Sequence, residues 1–277
     1  MNTNNIFGTC YFMGGLGNQM FQAAHALSQA WKKGVESKFK AESWTPMQGR
    51  QTDNYRNNIF RNLNFVEDFG HVGRVSEGPW EYTELNPQWD QPQEFYGYFQ
   101  SSKNFLGYDK EIIDLFSPSE EFKEKIFKKY PQLLSDNTTS IHIRRGDYLT
   151  ISDILPVIDI SYIEHCMSLL PETETFFIFS DDFTWVKNNI KSNKVIFVED
   201  NDDYEDLWMI SLCKNNIMSN SSFSWWGSFL NQNKDKKVFV PNIWFGPRGE
   251  KEFNNVYENE WEKINVKFNN GLLYYND

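Results

Sequence analysis

Cysteine is scarce in this sequence, and its scarcity excludes a good deal. The three cysteines, Cys10, Cys166 and Cys213, are an odd number without metal-like spacing, so neither a disulfide framework nor a zinc-type cluster is expected. No apolar run approaches the ~20 residues that cross a bilayer. The first residues, Met1 to Asn5, lack the basic and apolar segments of a signal peptide. Positive charge is also short: 27 Lys+Arg against 38 Asp+Glu leave a net charge of −11, which argues against nucleic acid as a partner. There is no internal repeat and no low-complexity segment. These absences point to a soluble, cytoplasmic protein, long enough at 277 residues for two ordinary domains.

Aromatic residues, by contrast, are plentiful at 17%, with 10 Trp and 13 Tyr. Such rings fill cores or stack on sugar faces, and their number alone does not separate the two uses. The most informative stretch is Ser140-Ile141-His142-Ile143-Arg144-Arg145-Gly146-Asp147-Tyr148. It reads as a short apolar strand running into a loop with two adjacent arginines, a glycine and a carboxylate. Neighbouring strand side chains face opposite ways, so one arginine is expected to reach a ligand and the other to tie the loop down, with Asp147 as a partner. A guanidinium fork suits phosphate bidentately. Arg145, beside the glycine that permits close approach, is the favoured phosphate contact. The plainer use of an isolated Arg-Arg is a solvated surface pair.

Taken in order, residues 6–13 read as a buried first strand. Gly14-Gly15-Leu16-Gly17-Asn18-Gln19 follows, then a segment to Trp31 with helical spacing. The glycine spacing is not Gly-x-Gly-x-x-Gly, so a dinucleotide site is not indicated. Asn18 and Gln19, at the helix start, are placed to hydrogen-bond a sugar or an anion at the mouth of a cleft. Residues 35–93 lack periodicity and read as loops and short helices of a substrate-facing domain. Residues 94–100 alternate like a strand, and 119–130 form an amphipathic helix capped by Ser117 or Ser119. The polar joint Asp136-Asn137-Thr138-Thr139 is the expected boundary between an N-terminal domain, 1–136, and a second domain, 137–250. A tail, 251–277, carries an expected helix at 257–264 that packs back on the first domain.

From residue 139 strands (139–143, 175–179, 194–198, 215–218, 237–240) alternate with helices (160–170, 183–190, 203–213, 222–231). Such alternation implies a parallel sheet covered on both faces, with ligands bound outside the C-terminal strand ends. The distinctive residues fall there: His142 to Asp147, then Ser180-Asp181-Asp182, Glu199-Asp200, and Ser219-Asn220-Ser221-Ser222-Phe223. Ser221 and Ser222 cap a helix or, at its N-terminus, hold an anion. Asp181-Asp182 bind a divalent ion, cap helix 183–190, or meet a base or ribose; the metal-free uses are favoured, because arginines neutralise a pyrophosphate themselves. Trp225-Trp226 reads as helix packing.

Four segments together resemble the α-1,2-fucosyltransferases of glycosyltransferase family 11: Gly14-Gly15-Leu16-Gly17-Asn18-Gln19-Met20-Phe21-Gln22, His142 to Tyr148, Phe179-Ser180-Asp181-Asp182, and Ser219 to Gly227. The resemblance implies an α/β, GT-B-like fold of two Rossmann-like domains facing a cleft, with the acceptor on the first and GDP-β-L-fucose on the second. It implies inverting, metal-independent transfer of fucose to the 2-OH of a galactose, with no cofactor. Arg144 or Arg145 would grip the pyrophosphate and His142 would line the site. Asp147 would brace the arginines, and Ser221, Ser222 and Phe223 would flank the donor. Ser180 would sit on the donor side, Asp181 and Glu199 would contact guanine or ribose, and Asn18 and Gln19 would lie across the cleft. Asp147 and Asp153 are the candidates for the base. Without the membrane anchor of animal relatives, a bacterial, cytoplasmic enzyme is expected, acting on a lipid-linked or free glycan. Two other readings stay open: another GDP-sugar transferase of the protein O- or α-1,6-fucosyl type, and a non-catalytic sugar-binding protein.

Overall fold

The computed structural model describes residues 6–41 and 51–277; the expectations for residues 1–5 and 42–50 lie outside it. The chain divides into two compact units. The first runs through Ser117 and includes Asn254–Glu258, and the second comprises Pro118–Phe253 and Asn259–Asp277. The division thus falls before the amphipathic helix rather than at the polar joint of residue 136. The physical reason is that Phe122 of that helix packs on Trp208 of the second unit, ring centroids 4.9 Å apart.

In the first unit β1 (Phe7–Cys10) leads into α1 (Leu16–Lys33). The helix ends at Gly34, whose left-handed φ of 73° suits glycine, and Lys32 and Lys33 lie in its last turn, complementing the dipole. Small residues on α1 let it lie close to β1: a Cβ at Gly8 would meet Ala30 Cβ at 3.1 Å and the Ala26 carbonyl at 3.2 Å. The strands β2 (Glu36–Ser37), β3 (Gly73–Ser76) and β4 (Gln93–Tyr96) complete a parallel sheet of order β2-β1-β4-β3. Residues 73–76, expected as loop, are therefore strand. The helix α2 (Asp109–Phe116) closes the unit. Rings fill its core: Phe12, Phe39 and Phe60 are buried, with Phe12 5.6 Å from Phe60 and 5.8 Å from Phe39.

The second unit opens with α3 (Glu120–Lys129), whose N-cap Ser119 accepts from the Phe122 N–H at 3.2 Å. Then follow β5 (Thr138–Ile143), β6 (Val157–Ile158), α4 (Ile160–Ser168), β7 (Thr175–Ser180), α5 (Phe183–Asn189), β8 (Val195–Phe197), α6 (Asp203–Leu212), β9 (Asn215–Ile217), α7 (Ser222–Phe229) and β10 (Val238–Pro241). After them come β11 (Glu262–Ile264), β12 (Val266–Asn269) and β13 (Leu272–Tyr275). The main sheet is parallel, in the order β11-β10-β9-β5-β7-β8. All six residues of β5 are buried, as a central strand covered on both faces requires. From β5 the chain builds outward on one side, then restarts at β9 on the other. This is the doubly wound order, and its switch point lies between β5 and β9.

The expected helix 257–264 is not there. Trp261 packs on Trp225 at 5.6 Å, and Glu262–Ile264 forms β11 against β10. Tyr257, Trp261 and Ile264 have helical spacing, but sheet pairing decides the conformation. The final hairpin turns through Asn270 and Gly271, with φ of 48° and 81°, the Asn-Gly signal of a two-residue turn.

Candidate active site

The switch point gathers the residues that the sequence singled out. At the end of β5 the Arg145 and Gly146 N–H groups donate to Asp181 Oδ1 at 2.8 and 3.1 Å, while Asp181 Oδ2 pairs with Arg144 Nη1 at 2.9 Å. Asp181 therefore clamps the loop with both oxygens. Gly146 has a local reason as well: a Cβ there would come within 2.7 Å of that carboxylate. The close approach it permits is Asp181's.

The two arginines part ways as strand alternation demands. Arg145 is buried; its Nε donates to Asp182 Oδ2 at 3.2 Å, and its guanidinium lies 3.9 Å from the Trp185 ring centroid. Asp182 also caps α5, accepting from the Trp185 N–H at 3.0 Å. Arg144 is the accessible one, with 36% of its side chain exposed, and Asp147 Oδ1 holds its Nη2 at 2.7 Å. The sequence favoured Arg145 as the phosphate contact; its burial, ion pair and ring contact give it the bracing position instead, and Arg144 takes the outward one.

His142 is buried, with Nδ1 at 3.1 Å from Ser219 Oγ and 2.5 Å from Ser224 Oγ, and its ring is 5.0 Å from that of Phe223. Burial drives its pKa down to about 3, so the imidazole is neutral and ties β5 to the start of α7. Tyr148 donates to the Asn220 carbonyl at 3.3 Å, and burial pushes its hydroxyl up to about 12. Ser221 caps α7, accepting from the Phe223 N–H at 3.3 Å, and Ser222 and Phe223 are half-buried at the same helix start. The α7 interior explains the Trp-Trp-Gly run. Trp225 and Trp226 are fully buried, and a Cβ on Gly227 would collide with Ile210 of α6.

The remaining expected donor residues lie further out. Ser180 donates to the Ile143 carbonyl at 2.9 Å and accepts from the Asp182 N–H at 3.1 Å, a structural use. Glu199 is ion-paired with Lys187 at 2.6 Å. Asp153 is exposed on the loop beyond Tyr148. Trp185 was missed, and Ser219, Asn220 and Ser224, though they lie in segments the sequence singled out, were given no role, since their partners are distant in sequence. Among the described residues, no three His, Cys, Asp or Glu side chains converge as a metal set. Nor is any helix there long and apolar enough to cross a membrane.

The loop after β1, in the first unit, also departs from expectation. Gln19 is fully buried, donating to the Gly14 carbonyl and accepting from Thr52 Oγ1, both at 3.0 Å. Gln22 clamps both polar groups of Met13, at 3.0 and 3.2 Å. Gln19 thus holds the turn and is closed to solvent. Gly14, at φ +77° and packed on Asn18, is the position where glycine is required. Asn18 remains half-buried and accepts from Gln100 Nε2 at 2.6 Å.

Comparison with known proteins matches this architecture to glycosyltransferases. The chain is 30% identical over 271 residues to an alpha-1,2-colitosyltransferase of Escherichia coli, covering 84% of this chain and 90% of that protein. It is 34% identical over 165 residues to the O-antigen biosynthesis glycosyltransferase WbnK of Escherichia coli, and spans about half of that protein's length, 54%. Among solved structures, NodZ alpha-1,6-fucosyltransferase soaked with GDP-fucose superposes with a TM-score of 0.52 at 11% identity, covering 86% of this chain and 96% of that one. POFUT1 in complex with GDP-fucose gives 0.53 at 13%, covering 88% and 99%. These two likenesses concern the fold, which is α/β and of the GT-B type. The model of glycosyl transferase family 11 matches residues 79–265, a span that takes in the whole β5–β9 switch point, and the chain belongs to that family.

Proposed function

We propose that the chain transfers L-fucose from GDP-β-L-fucose to the 2-hydroxyl of a terminal galactose, inverting at the anomeric carbon and needing no metal ion. The observation that carries the reading is the posture of Arg144. It stands at the C-terminal end of β5, ion-paired with Asp147 at 2.7 Å and Asp181 at 2.9 Å, with 36% of its side chain exposed. In the transfer, the acceptor oxygen bonds to the anomeric carbon while the bond from that carbon to the β-phosphate oxygen breaks. The electron pair leaves with GDP, and the hydroxyl proton passes to a base. A fixed guanidinium aimed at the departing phosphate stabilises the charge as it grows. The start of α7, capped by Ser221, adds N–H groups that favour an anion. Asp181 and Asp182 are turned onto arginines and backbone N–H groups, which supports a donor site that works without a metal ion. The three free, buried cysteines suit the reducing cytoplasm, where we place the enzyme.

The colitosyl-transferring relative supports a 1,2-linkage. It also favours a second reading, in which the GDP donor carries a related deoxy sugar. A donor-by-acceptor matrix tests both. Transfer of fucose to lactose, abolished by methylating the galactose 2-OH, is expected. Transfer from GDP-colitose alone would move the assignment to the second reading, and no transfer from any GDP-sugar would sink both.

A further inference from the structure

Side chains from β5, from the loop after β9 and from α7 form a closed triangle of one ring nitrogen and two hydroxyls. His142 Nδ1 lies 2.5 Å from Ser224 Oγ and 3.1 Å from Ser219 Oγ, and the two oxygens are 3.2 Å apart. Both serines are enclosed, at 0% and 1% exposure for Ser219 and Ser224. Among the described residues neither hydroxyl has another partner. A buried hydroxyl proton without an acceptor is costly, so the triangle has two such protons to place. Suppose that Nδ1 carries the ring proton and donates to one serine. That serine can donate to the other, and the last hydroxyl proton then has nowhere to go. With Nδ1 as acceptor, Ser224 donates to it, and Ser219 donates to Nδ1 or to Ser224 Oγ. Every proton is then placed. Burial keeps the ring neutral, so its one proton goes to Nε2.

Nε2 is the edge that a ligand can meet. Among the described residues it has no partner, and it is not sealed from solvent. His142 and Arg144 are two residues apart at the end of β5, so strand alternation sets them on one face. Phe223, at the start of α7, holds the ring from the side, with centroids 5.0 Å apart. We infer that Ser219 and Ser224 are positioning residues: they lock His142 in its Nε2–H tautomer and so aim a neutral N–H at a phosphate oxygen of the sugar-nucleotide donor. The other tautomer would present a lone pair to that oxygen and repel it. The lock also leaves Nε2 no lone pair with which to take the acceptor-hydroxyl proton, so His142 is not the base. In one respect the inference rests on the proposed reading, that a GDP-sugar occupies this edge.

Nitrogen NMR of the four histidines reads the tautomer directly, with His142→Gln identifying the signal. Wild type should show a protonated Nε2 and a bare Nδ1 before any ligand is added, and saturating GDP should shift the Nε2–H resonance. Ser224→Ala, which leaves Ser219 to donate, should keep the tautomer. The double variant Ser219→Ala/Ser224→Ala should give a mixture of tautomers. By calorimetry it should bind GDP about tenfold more weakly, the size of one hydrogen bond to a charged group. On a His142→Gln background the same two replacements should move GDP affinity by less than about twofold, which a general loosening of the fold would not reproduce. A protonated Nδ1 in wild type overturns the inference, and the spectrum decides this even if the double variant does not fold. So does a resonance unmoved while GDP binds, or a serine effect of equal size with and without His142. Absence of GDP binding by wild type sinks the donor reading and leaves the tautomer lock standing.

Discussion

In the first unit the loop leaving β1 is pinned by carboxamides, whereas in the second the loop leaving β5 is pinned by ion pairs. Gln19 and Gln22 close one turn with neutral hydrogen bonds, fully buried. Asp147, Asp181 and Asp182 close the other around two guanidinium groups. Both devices fix a backbone, but only the second leaves an oriented cation at its tip. The carboxamide clamp adds no charge to its loop, whereas the other sets two guanidinium groups against three carboxylates.

The comparison breaks most visibly at the arginines. Arg144→Ala should lower turnover about 10²–10³-fold, as loss of a preorganised charge-stabilising donor does, while melting close to wild type. Arg144→Lys should rescue little, because the fork is lost. Arg145→Ala should instead unfold more easily. Removing one partner of a buried pair costs about 3–5 kcal/mol, and the figure here should fall below that because 26% of the Asp182 side chain is exposed. Turnover in both variants, read beside thermal melting and GDP calorimetry, checks the division. Equal loss of GDP affinity with normal melting in both would erase the distinction between outward and bracing arginine.

A smaller effect is expected on the neutral side. Gln19→Ala removes two buried hydrogen bonds and should cost about 1–3 kcal/mol, unchanged between low and high salt. The Arg145 deficit should shift with salt. Denaturant melts at two ionic strengths separate them, and a salt-dependent Gln19→Ala deficit would contradict a neutral clamp.

Titration sharpens the contrast further. Burial lifts the Asp206 carboxyl of α6 to about 7, with Asp203 and Glu205 adding to the rise and Asn201 and Lys129 opposing it. The folded protein then keeps a proton that the unfolded chain, with a carboxyl near ~3.9, has released. This group's stabilisation is full below about pH 4 and is lost as pH rises through about 7. Asp206→Asn should melt several degrees above wild type at pH 8, at about 2–4 °C per kcal/mol, and nearly with it at pH 4. A melting difference independent of pH would dispose of the raised carboxyl. The smallest effect is none: saturating chelator should leave transfer intact, and activity lost to EDTA and restored by Mn²⁺ would return Asp181 and Asp182 to consideration as ligands.

How much of this was legible varied along the chain. Apart from β6, a two-residue strand that the sequence reading lacked, the strands and helices from β5 to β10 lie within a residue or two of that reading, because each such strand is a short apolar run followed by a clear cap or turn. The hairpin of β12 and β13 was missed despite its Asn270-Gly271 turn. The helix expected at 257–264 gave way to β11, since its apolar spacing fits either structure until a sheet edge claims it. At the site, the sequence singled out the arginine pair, Asp147, Asp181 and Gln19. It did not show that Asp181 pairs with Arg144 or that Gln19 bonds Thr52, contacts between residues far apart in the chain.

By itself the sequence determined which segments meet. Doubly wound order brings the ends of β5 and β9 together, so His142 to Asp147 and Ser219 to Phe223 converge whatever their side chains do. It also determined that Arg144 and Arg145 face opposite ways, because strand geometry alternates. Only the tertiary structure decided which of them faces outward. That choice depends on Trp185 and Asp182, contributed by the start of α5, packing against Arg145 and removing it from solvent. No periodicity within the β5 loop encodes a contact with a residue so far along the chain.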